Sequence, residues 1–301
     1  MQLSMEGYTK MAEGQNFVDL LTPPEIARKV EKIAIGKATL PTGKLAVLAT
    51  LAGAFVSLGC MFYTTITSDI KGGFGITMLL GGLVFNVGLM LCSIAGSELF
   101  TGNSLMVVAL ASRKITLGQM LRNWGMVWFF NMVGSLMMAF LLYYADNWSN
   151  GGNLVGARAL YIGASKASLP FGLIFVRGIF ANLFVCLASW MTYAGRTVTD
   201  KFVAMSLPIM AFVAGGFEHS VANMYFIPYA ILVKGQQAVV NMPGVPVEKL
   251  KYLDIQHFIG NLIPATLGNL VGGALLVGLV YWWIYLREEQ GVDLKRSQKA
   301  A

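Results

Sequence analysis

The sequence predicts an all-α integral membrane protein with six spans, arranged as two inverted three-helix repeats in which helices 2 and 5 are broken. Three observations support this fold class. Only 12% of the 301 residues are charged and 56% are hydrophobic, whereas soluble domains carry about 25% charged residues. Several nearly uncharged runs reach the roughly 20 residues that a transmembrane helix needs. Two longer runs each carry a central Gly-x-Glu motif, and the motifs around them recur in the same order.

The N-terminal segment, residues 1–44, is predicted to be cytoplasmic and to contain an amphipathic helix on the membrane surface. It mixes acids and bases and lacks the continuous apolar run of a signal peptide. Residues 22–25 (Thr-Pro-Pro-Glu) predict a helix start, with Thr22 as the N-cap and Glu25 in the first turn. Ile26, Val30 and Ile33 then follow at one-face spacing.

The membrane domain is predicted to cover residues 45–286, and residues 287–301 form the remaining tail. Continuous spans are predicted at 45–66, 124–145, 169–195 and 258–286. The runs 74–112 and 202–233 are too long for one span and too short for two spans with a loop. We therefore expect each to be a helix, an unwound turn and a second helix, which is tolerated only inside protein or beside a water-filled cavity.

The two interrupted runs resemble each other. Residues 96–98 (Gly-Ser-Glu) and 216–218 (Gly-Phe-Glu) are each followed, five residues after the Glu, by an Asn. Upstream, Phe-Val-Ser-Leu at 55–58 parallels Phe-Val-Cys-Leu at 184–187. Downstream, Asn-Met-Val-Gly at 131–134 parallels Asn-Leu-Val-Gly at 269–272. An odd number of spans per repeat requires the second repeat to insert upside down, and matching interruptions indicate a binding site.

Basic residues predict the orientation. The segments assigned to one side carry 15 Lys and Arg residues and the opposite loops carry 6. Under the positive-inside rule both termini are cytoplasmic, as expected for a multi-pass protein of the inner membrane. The net charge of +7 does not indicate a nucleic-acid-binding protein, because these residues lie in short segments and form no basic stripe.

The motifs are similar to those of the formate/nitrite transporter family over about residues 17–287. The resemblance rests on four segments: 98–102 (Glu-Leu-Phe-Thr-Gly), 182–188 (Asn-Leu-Phe-Val-Cys-Leu-Ala), 216–224 (Gly-Phe-Glu-His-Ser-Val-Ala-Asn-Met) and 268–273 (Gly-Asn-Leu-Val-Gly-Gly). It implies an aquaporin-like six-helix protomer in a homopentamer, with one pore per protomer. The implied substrates are small monovalent anions, formate first, with protons as a further partner and the lipid bilayer as the surroundings.

The resemblance also implies roles for individual residues. His219 corresponds to the central pore histidine and Thr101 to its hydroxyl partner. The histidine occurs at the break of the second half only, and Thr101 lies opposite it in the first half. The other implied positions are an inner constriction (Leu89, Leu99, Phe100, with Phe85 near it), an outer constriction (Phe212, Val185), an outer basic residue (Lys166), helix-fixing amides (Asn182, Asn269) and two scaffold acids (Glu98, Glu218). We expect both acids to accept hydrogen bonds as structural ties, and Glu218 to point away from the pore.

Physical chemistry supports a role for a histidine here. A small anion loses hydration on entering an apolar pore, and the unrelaxed cost is tens of kcal/mol. Hydrogen-bond donors or protonation of the anion avoid that cost, and a histidine with an ordinary pKa of about 6.5 serves both routes. The hypothesis is that basic residues attract the anion, hydrophobic rings strip its water, His219 with Thr101 receives it, and weak acids leave as neutral molecules.

Arg177 leaves the substrate open. It lies inside the fourth span, where it either snorkels, forms an internal salt bridge, or adds positive potential along the anion route. The resemblance implies an uncharged residue here in formate-type members and a basic one in nitrite or hydrosulfide types. Nitrite, hydrosulfide or another short monocarboxylate is therefore the alternative substrate, and channel against proton-coupled symport stays open.

Two other functional classes fit the sequence less well. An enzyme would need a metal cluster or a nucleophile with its base, and the sequence predicts no catalytic residue, metal site or cofactor. The cysteines (Cys60, Cys92, Cys186) lie singly in apolar runs and predict packing roles. A haem-carrying anchor subunit of a redox enzyme would need His219 and His257 at matching depth, whereas His257 is predicted at the surface.

Overall fold

The structure is a computed structural model that describes residues 20–69 and 72–288. Within those residues every regular element is helical, which confirms the all-α prediction. Residues 1–19 of the predicted N-terminal segment, Lys71 of a predicted loop and residues 289–301 of the predicted tail lie outside the described residues.

Ten principal helices follow one another along the chain. They are α1 (Pro23–Ala38), α2 (Thr42–Ile66), α3 (Gly73–Gly96), α4 (Phe100–Ala111), α5 (Leu117–Tyr144), α6 (Leu154–Ala167), α7 (Phe171–Ala194), α8 (Val198–Ala214), α9 (Ser220–Val233) and α10 (Ile255–Tyr285). Helix α3 ends in a π-helical turn, and α10 contains a longer π-helical stretch at Val271–Leu279. Three short helices lie in the connections, at Asn147–Ser149, Gln237–Val240 and Val247–Tyr252.

Five of the described helices are long and apolar enough to cross a membrane: α2, α3, α5, α7 and α10. Helices α4 and α9 are apolar but shorter. The run 74–112 is interrupted at residues 97–99, which we call the first break, and the run 202–233 at residues 215–219, the second break. Both interruptions fall at the Gly-x-Glu motifs from which they were predicted.

The long helices pack in matching pairs, α2 on α5 and α7 on α10, and α3 packs against α8. Close backbone approach requires glycine in the two pairs. A Cβ atom at Gly53 of α2 would overlap the Asn131 carbonyl of α5, and one at Gly272 of α10 would overlap the Ile179 carbonyl of α7. Small residues at such contacts let helices approach where lipid offers no hydrophobic driving force.

Helix α1 begins where the sequence predicts. Thr22 is the N-cap and Pro23 the first helical residue, and the Thr22 backbone N–H donates to the Glu25 carboxylate at 2.8 Å. The buried face of the helix includes Ile26 and Val30, which pack with side chains of α4, α7 and α10. Packing on the helical bundle therefore fixes α1 through its apolar face.

Candidate functional site

The second break holds a sharp turn that ends at a histidine. Gly216 has a φ of +64°, a left-handed conformation that favours glycine. The Glu218 N–H donates to the Arg177 carbonyl of α7 at 3.4 Å. His219 is the N-cap of α9, and its Nδ1 accepts a hydrogen bond from the Ala222 N–H at 3.0 Å. The imidazole therefore caps the helix in the way that Ser, Thr or Asp side chains usually do.

Asn269 of α10 holds the second break in place. Its amide nitrogen donates to the carbonyls of Gly178 at 2.8 Å and Glu218 at 2.9 Å. Its amide oxygen accepts from the Ser220 N–H at 2.9 Å. Unwound backbone at membrane depth needs such partners, because no lipid group can supply them.

The first break is built in the same way. Gly96 has a φ of +97°, and the N-cap of α4 is Leu99, with φ −101° and ψ 124°, close to the −100° and 116° of His219. Asn131 of α5 supplies the equivalent bonds: it donates to the carbonyls of Ala49 (2.7 Å) and Glu98 (2.9 Å) and accepts from the Phe100 N–H (2.9 Å). The two halves therefore share one hydrogen-bonding frame around different N-cap side chains.

Each break also carries a buried ion pair set in an Asn pair. In the second, the Lys166 ammonium lies 2.9 Å from Glu218 Oε1, and Asn223 donates to Glu218 Oε2 at 2.6 Å and to Asn261 at 2.7 Å. Asn261 in turn donates to the Lys166 carbonyl at 3.1 Å. In this arrangement the Glu218 carboxylate accepts hydrogen bonds that connect neighbouring helices. The cation paired with it is Lys166, the residue predicted for the outer opening.

The first break repeats this arrangement with Lys37 of α1. The Lys37 ammonium lies 2.8 Å from Glu98 Oε1, and Asn103 donates to Glu98 Oε2 at 2.7 Å and to Asn123 at 2.8 Å. Asn123 donates to the Lys37 carbonyl at 3.2 Å. The sequence prediction missed both the pairing and helix α6, although the segments 37–41 (Lys-Ala-Thr-Leu-Pro) and 166–170 (Lys-Ala-Ser-Leu-Pro) carry the signal.

The two breaks meet through His219 and Thr101, whose Nε2 and Oγ1 atoms lie 2.9 Å apart. Both side chains are buried. Because Nδ1 accepts from the Ala222 N–H, the neutral imidazole carries its proton on Nε2. Nε2–H then donates to the Thr101 oxygen, so the Thr101 hydrogen is directed to another acceptor. The pair can therefore donate a hydrogen bond to an anion while the histidine stays neutral.

Three donors converge on the backbone carbonyl of Thr101 and fix its place. They are Ser104 Oγ at 2.7 Å, Asn182 Nδ2 at 3.2 Å and Cys186 Sγ at 3.3 Å. Asn182 also donates to the Asn269 carbonyl at 2.7 Å. The predicted amides Asn182 and Asn269 thus connect the Thr101 turn to the second break.

A cavity of about 400 Å³ opens on the side of α1. Among the predicted residues, Leu89, Leu99 and Glu98 line it. Two cations also line this larger cavity, Lys37 and Lys201, and Lys37 is the one paired with Glu98.

A smaller cavity of about 70 Å³ lies on the side of α6 and is lined by His219 and Lys166. Phe85 and Phe212 also line it, with ring centroids 5.7 Å apart, and the Phe212 centroid lies 5.9 Å from that of His219. Phe85, which was predicted near the Leu89 constriction, lies one helical turn from Leu89 in α3 and lines this smaller cavity. Phe100, Thr101 and Val185 are buried and line neither cavity.

Arg177 is half-buried in α7. Its carbonyl accepts from Glu218, but its guanidinium makes no hydrogen bond or ion pair with any other described residue. An internal salt bridge is therefore absent from the described part of the chain. The Glu98 N–H of the first break donates to the Leu48 carbonyl in the same way that the Glu218 N–H donates to the Arg177 carbonyl. Leu48 is therefore the counterpart of Arg177 in the first half, and it lines the larger cavity.

His257 lies apart from this site. Its side chain is 35% exposed and its Nδ1 lies 2.9 Å from an oxygen of Asp254, the N-cap of α10. Within residues 20–69 and 72–288 no three His, Cys, Asp or Glu side chains come together as metal ligands.

Comparison with known proteins gives consistent matches. The family model described as "Formate/nitrite transporter" matches residues 24–283. The chain is 42% identical over 280 residues to the formate channel FocA of Escherichia coli K12, covering 92% of this chain and 98% of that protein. It is 38% identical over 284 residues to a probable formate transporter of Methanothermobacter thermautotrophicus, covering 89% and 98%.

Two solved structures are similar to this chain. A pentameric formate channel with formate bound superposes with a TM-score of 0.76 at 40% identity, covering 82% of this chain and 98% of that one. An FNT family ion channel superposes with a TM-score of 0.72 at 30% identity, covering 86% and 98%.

Proposed function

The chain belongs to the formate/nitrite transporter family, and we propose that it is a channel or transporter, not an enzyme, that passes formate and similar small monovalent anions across a membrane. The observation that carries this proposal is the His219–Thr101 pair, which lies where the two broken helices meet and next to a cavity. Similarity to formate channels supports formate as the first substrate.

We propose six spans in two inverted repeats with an aquaporin-like course. The five long helices would supply four full spans and part of a fifth; α3 with α4, and α8 with α9, would form the two broken spans. The matched bonds of Asn131 and Asn269 support the repeat. In this proposal residues 45–286 form the membrane domain of a homopentamer, 1–44 and 287–301 are cytoplasmic, and the membrane is the inner one. Similarity to a pentameric formate channel supports the pentamer.

The proposed pathway joins the larger cavity to the smaller one past the two breaks. Leu89 and Leu99, backed by Phe100, would form the constriction on the α1 side. Phe85 and Phe212, with Val185 behind them, would form the constriction on the α6 side. Apolar rings of this kind strip water from the anion, so the donors between them must replace part of its hydration.

The donors between the constrictions would be the hydroxyl of Thr101 and, behind it, the imidazole of His219. Their hydrogen-bond order leaves Thr101 free to donate to the anion. A second proton on Nδ1 would break the bond from the Ala222 N–H, and losing an N-cap costs about 1 kcal/mol. That cost makes the imidazolium a readier proton donor: it would pass its Nε2 proton through the Thr101 hydroxyl to the anion and return to a neutral imidazole. Alternatively, the anion would take its proton from solvent before it reaches His219. By either route a weak acid would leave as a neutral molecule.

Two arms of side-chain variants test this role of the pair. In His219→Asn the amide oxygen keeps an N-cap acceptor but cannot titrate, so the protein should fold and its formate flux into proteoliposomes should lose its pH dependence. In Thr101→Val the hydroxyl is lost at nearly constant shape. Flux should fall about tenfold, because a lost hydrogen bond to a charged group is worth about 1.5–3 kcal/mol. Thr101→Ser is the matched control. If His219→Asn leaves the pH profile of formate flux unchanged, titration of His219 is not part of the mechanism.

Nitrite or hydrosulfide is the second candidate substrate, and Arg177 is the observation that favours it. We propose that its guanidinium adds positive potential on the α6 side, because it has no partner among the described residues and Leu48, its counterpart, lines the larger cavity. Competition among formate, nitrite, hydrosulfide, acetate and lactate for flux across pH would rank the anions. If Arg177→Leu shifts the ranking from nitrite toward formate, Arg177 sets the preference. An unchanged ranking would remove that role.

A further inference from the structure

A third cavity, of about 270 Å³, lies between the end of α2 and helix α6. Its lining comprises Thr67, Ser68, Leu154, Ala157, Arg158, Tyr161, Pro243 and Gly244. A water molecule occupies about 30 Å³ in the liquid. The cavity therefore has room for an anion of a few heavy atoms together with several waters.

Arg158 is the cation of this cavity, and its guanidinium is only partly satisfied. Its Nε donates to Thr67 Oγ1 at 3.0 Å and its Nη2 lies 3.5 Å from the Tyr63 hydroxyl. The group also stacks 5.2 Å from the Tyr161 ring centroid. The Thr67 hydroxyl donates its own hydrogen to the Tyr63 carbonyl at 2.8 Å. The rest of the guanidinium N–H groups have no acceptor in the part of the chain that the structure describes.

No carboxylate neutralises Arg158 among the described residues. Asp69, two residues beyond Thr67, is exposed and forms no ion pair with it. Lys166, on the same helix, is paired at 2.9 Å with the buried Glu218. Of these two cations of α6, Arg158 is therefore the one whose charge is available to a ligand.

Tyr63 connects Arg158 to the smaller cavity. The Tyr63 hydroxyl faces the guanidinium, while its ring lines the cavity that contains His219. The Tyr63 ring also packs edge-on against Phe85, with centroids 6.5 Å apart. Tyr63 thus contacts both the cation of the third cavity and the proposed pathway.

We propose that Arg158 and its cavity form a binding site for small carboxylates that loads the pathway from the α6 side. A guanidinium edge presents two parallel N–H groups that match the two oxygens of a carboxylate. An unpaired cation in a cleft also raises the local concentration of anions. The inference rests on the proposed anion passage and adds a capture step before it.

The test is formate uptake into proteoliposomes, measured as initial rate against formate concentration at low and high ionic strength. Arg158→Gln should raise the half-saturating formate concentration about tenfold at low ionic strength, the lower end of electrostatic steering effects, with maximal flux within about twofold. High salt should shrink the difference, because it screens exposed charges. Arg158→Lys keeps the charge without the two-pronged geometry and should give an intermediate value.

Lys249→Gln is the matched control, because it removes an exposed cation from the short helix Val247–Tyr252, which packs against α6. Oligomer elution in detergent verifies that each variant folds. The inference is overturned if Arg158→Gln and Arg158→Lys both leave the half-saturating concentration unchanged, or if Lys249→Gln raises it equally. Absence of formate flux through the unsubstituted protein would instead overturn the proposed function, and this inference with it.

Discussion

Replacing Asn269 by leucine should unfold the second break at a cost that can be worked from its contacts. The substitution leaves two buried backbone groups without a partner, the Glu218 carbonyl and the Ser220 N–H, and removes a second hydrogen bond from the Gly178 carbonyl, which lies within α7. Each unsatisfied buried group costs about 1–3 kcal/mol and the lost second hydrogen bond about 0.5–1.5 kcal/mol, so the total loss should be roughly 2.5–7.5 kcal/mol. Total stabilities of about 5–15 kcal/mol are common, which makes this loss severe.

Asn131 offers the same perturbation in the other half of the chain. Its replacement by leucine also leaves one carbonyl (Glu98) and one N–H (Phe100) without partners and removes a second hydrogen bond from the Ala49 carbonyl, which lies within α2. Asn86 is the control. It is fully buried, but its amide oxygen has no partner and its nitrogen makes one bond, to Ser206 at 3.0 Å. Asn86→Leu should therefore change stability by no more than about 1 kcal/mol.

The assay is thermal unfolding of the purified protein in detergent, followed by the fraction that still elutes as the native oligomer. Taking about 2 °C per kcal/mol for a chain of this size, Asn269→Leu and Asn131→Leu should each lower Tm by at least about 5 °C. Asn86→Leu should lower it by about 2 °C or less. If Asn269→Leu unfolds at the same temperature as Asn86→Leu, the amide does not support the break.

Three further outcomes follow from the packing, the ion pairs and the caps. Gly53→Ala should prevent oligomer assembly, because its methyl group would overlap a carbonyl of α5, whereas Gly125→Ala, with open space around it, should assemble normally. Lys37→Met should lower Tm more than the double variant with Glu98→Gln, since the single change leaves a carboxylate buried and uncompensated; additive effects would contradict this. Hydrogen bonds from the backbone and side chain three residues ahead lower the pKa of Asp254. The Tm advantage over Asp254→Asn should therefore be full above the unfolded pKa of about 3.9 and be lost as pH falls through the lower pKa of the folded protein; an advantage that grew on acidification would contradict this.

The breaks could be predicted because their determinants are local in sequence. Each has a glycine that accepts a left-handed φ, a Glu two residues later and an Asn five residues after that Glu. The lengths of the two apolar runs, too long for one span, pointed to the same places. The bounds of three long helices also follow from composition: the prediction 45–66, for example, differs by three residues from Thr42–Ile66. Helix α5 is the exception, because it begins at Leu117, seven residues before the predicted start at 124.

Helix α6 and the lysine partners could not be found from periodicity. Helix α6 has 14 residues, too few for a span, and nine of them are buried, so it shows no clear polar face. The pairing of Lys166 with Glu218 joins residues 52 apart on different helices. A comparison of the two halves that began at the Lys-Ala-x-Leu-Pro segments would have detected both.

The His219–Thr101 contact joins residues 118 apart. No spacing rule brings them together, and only the family resemblance indicated the pair. The structure adds the order of the hydrogen bonds. This order depends on the Ala222 N–H in the first turn of α9, and the family motif carries no information about that bond.

The two halves of the chain differ most where their shared frame holds different side chains. Aligned by their break glutamates, Leu99 is the counterpart of His219, and both are N-caps with nearly the same backbone angles. A leucine cannot accept a hydrogen bond from its helix, so the first break presents an apolar side chain to the larger cavity, whereas the second presents a polar ring to the smaller one. Leu48 and Arg177, whose carbonyls accept from the N–H groups of Glu98 and Glu218, show the same contrast between an apolar and a polar side chain. Because the same backbone bonds support both breaks, polarity in this protein can change at one side chain without a change of fold, and the search for anion selectivity should concentrate on such unmatched pairs.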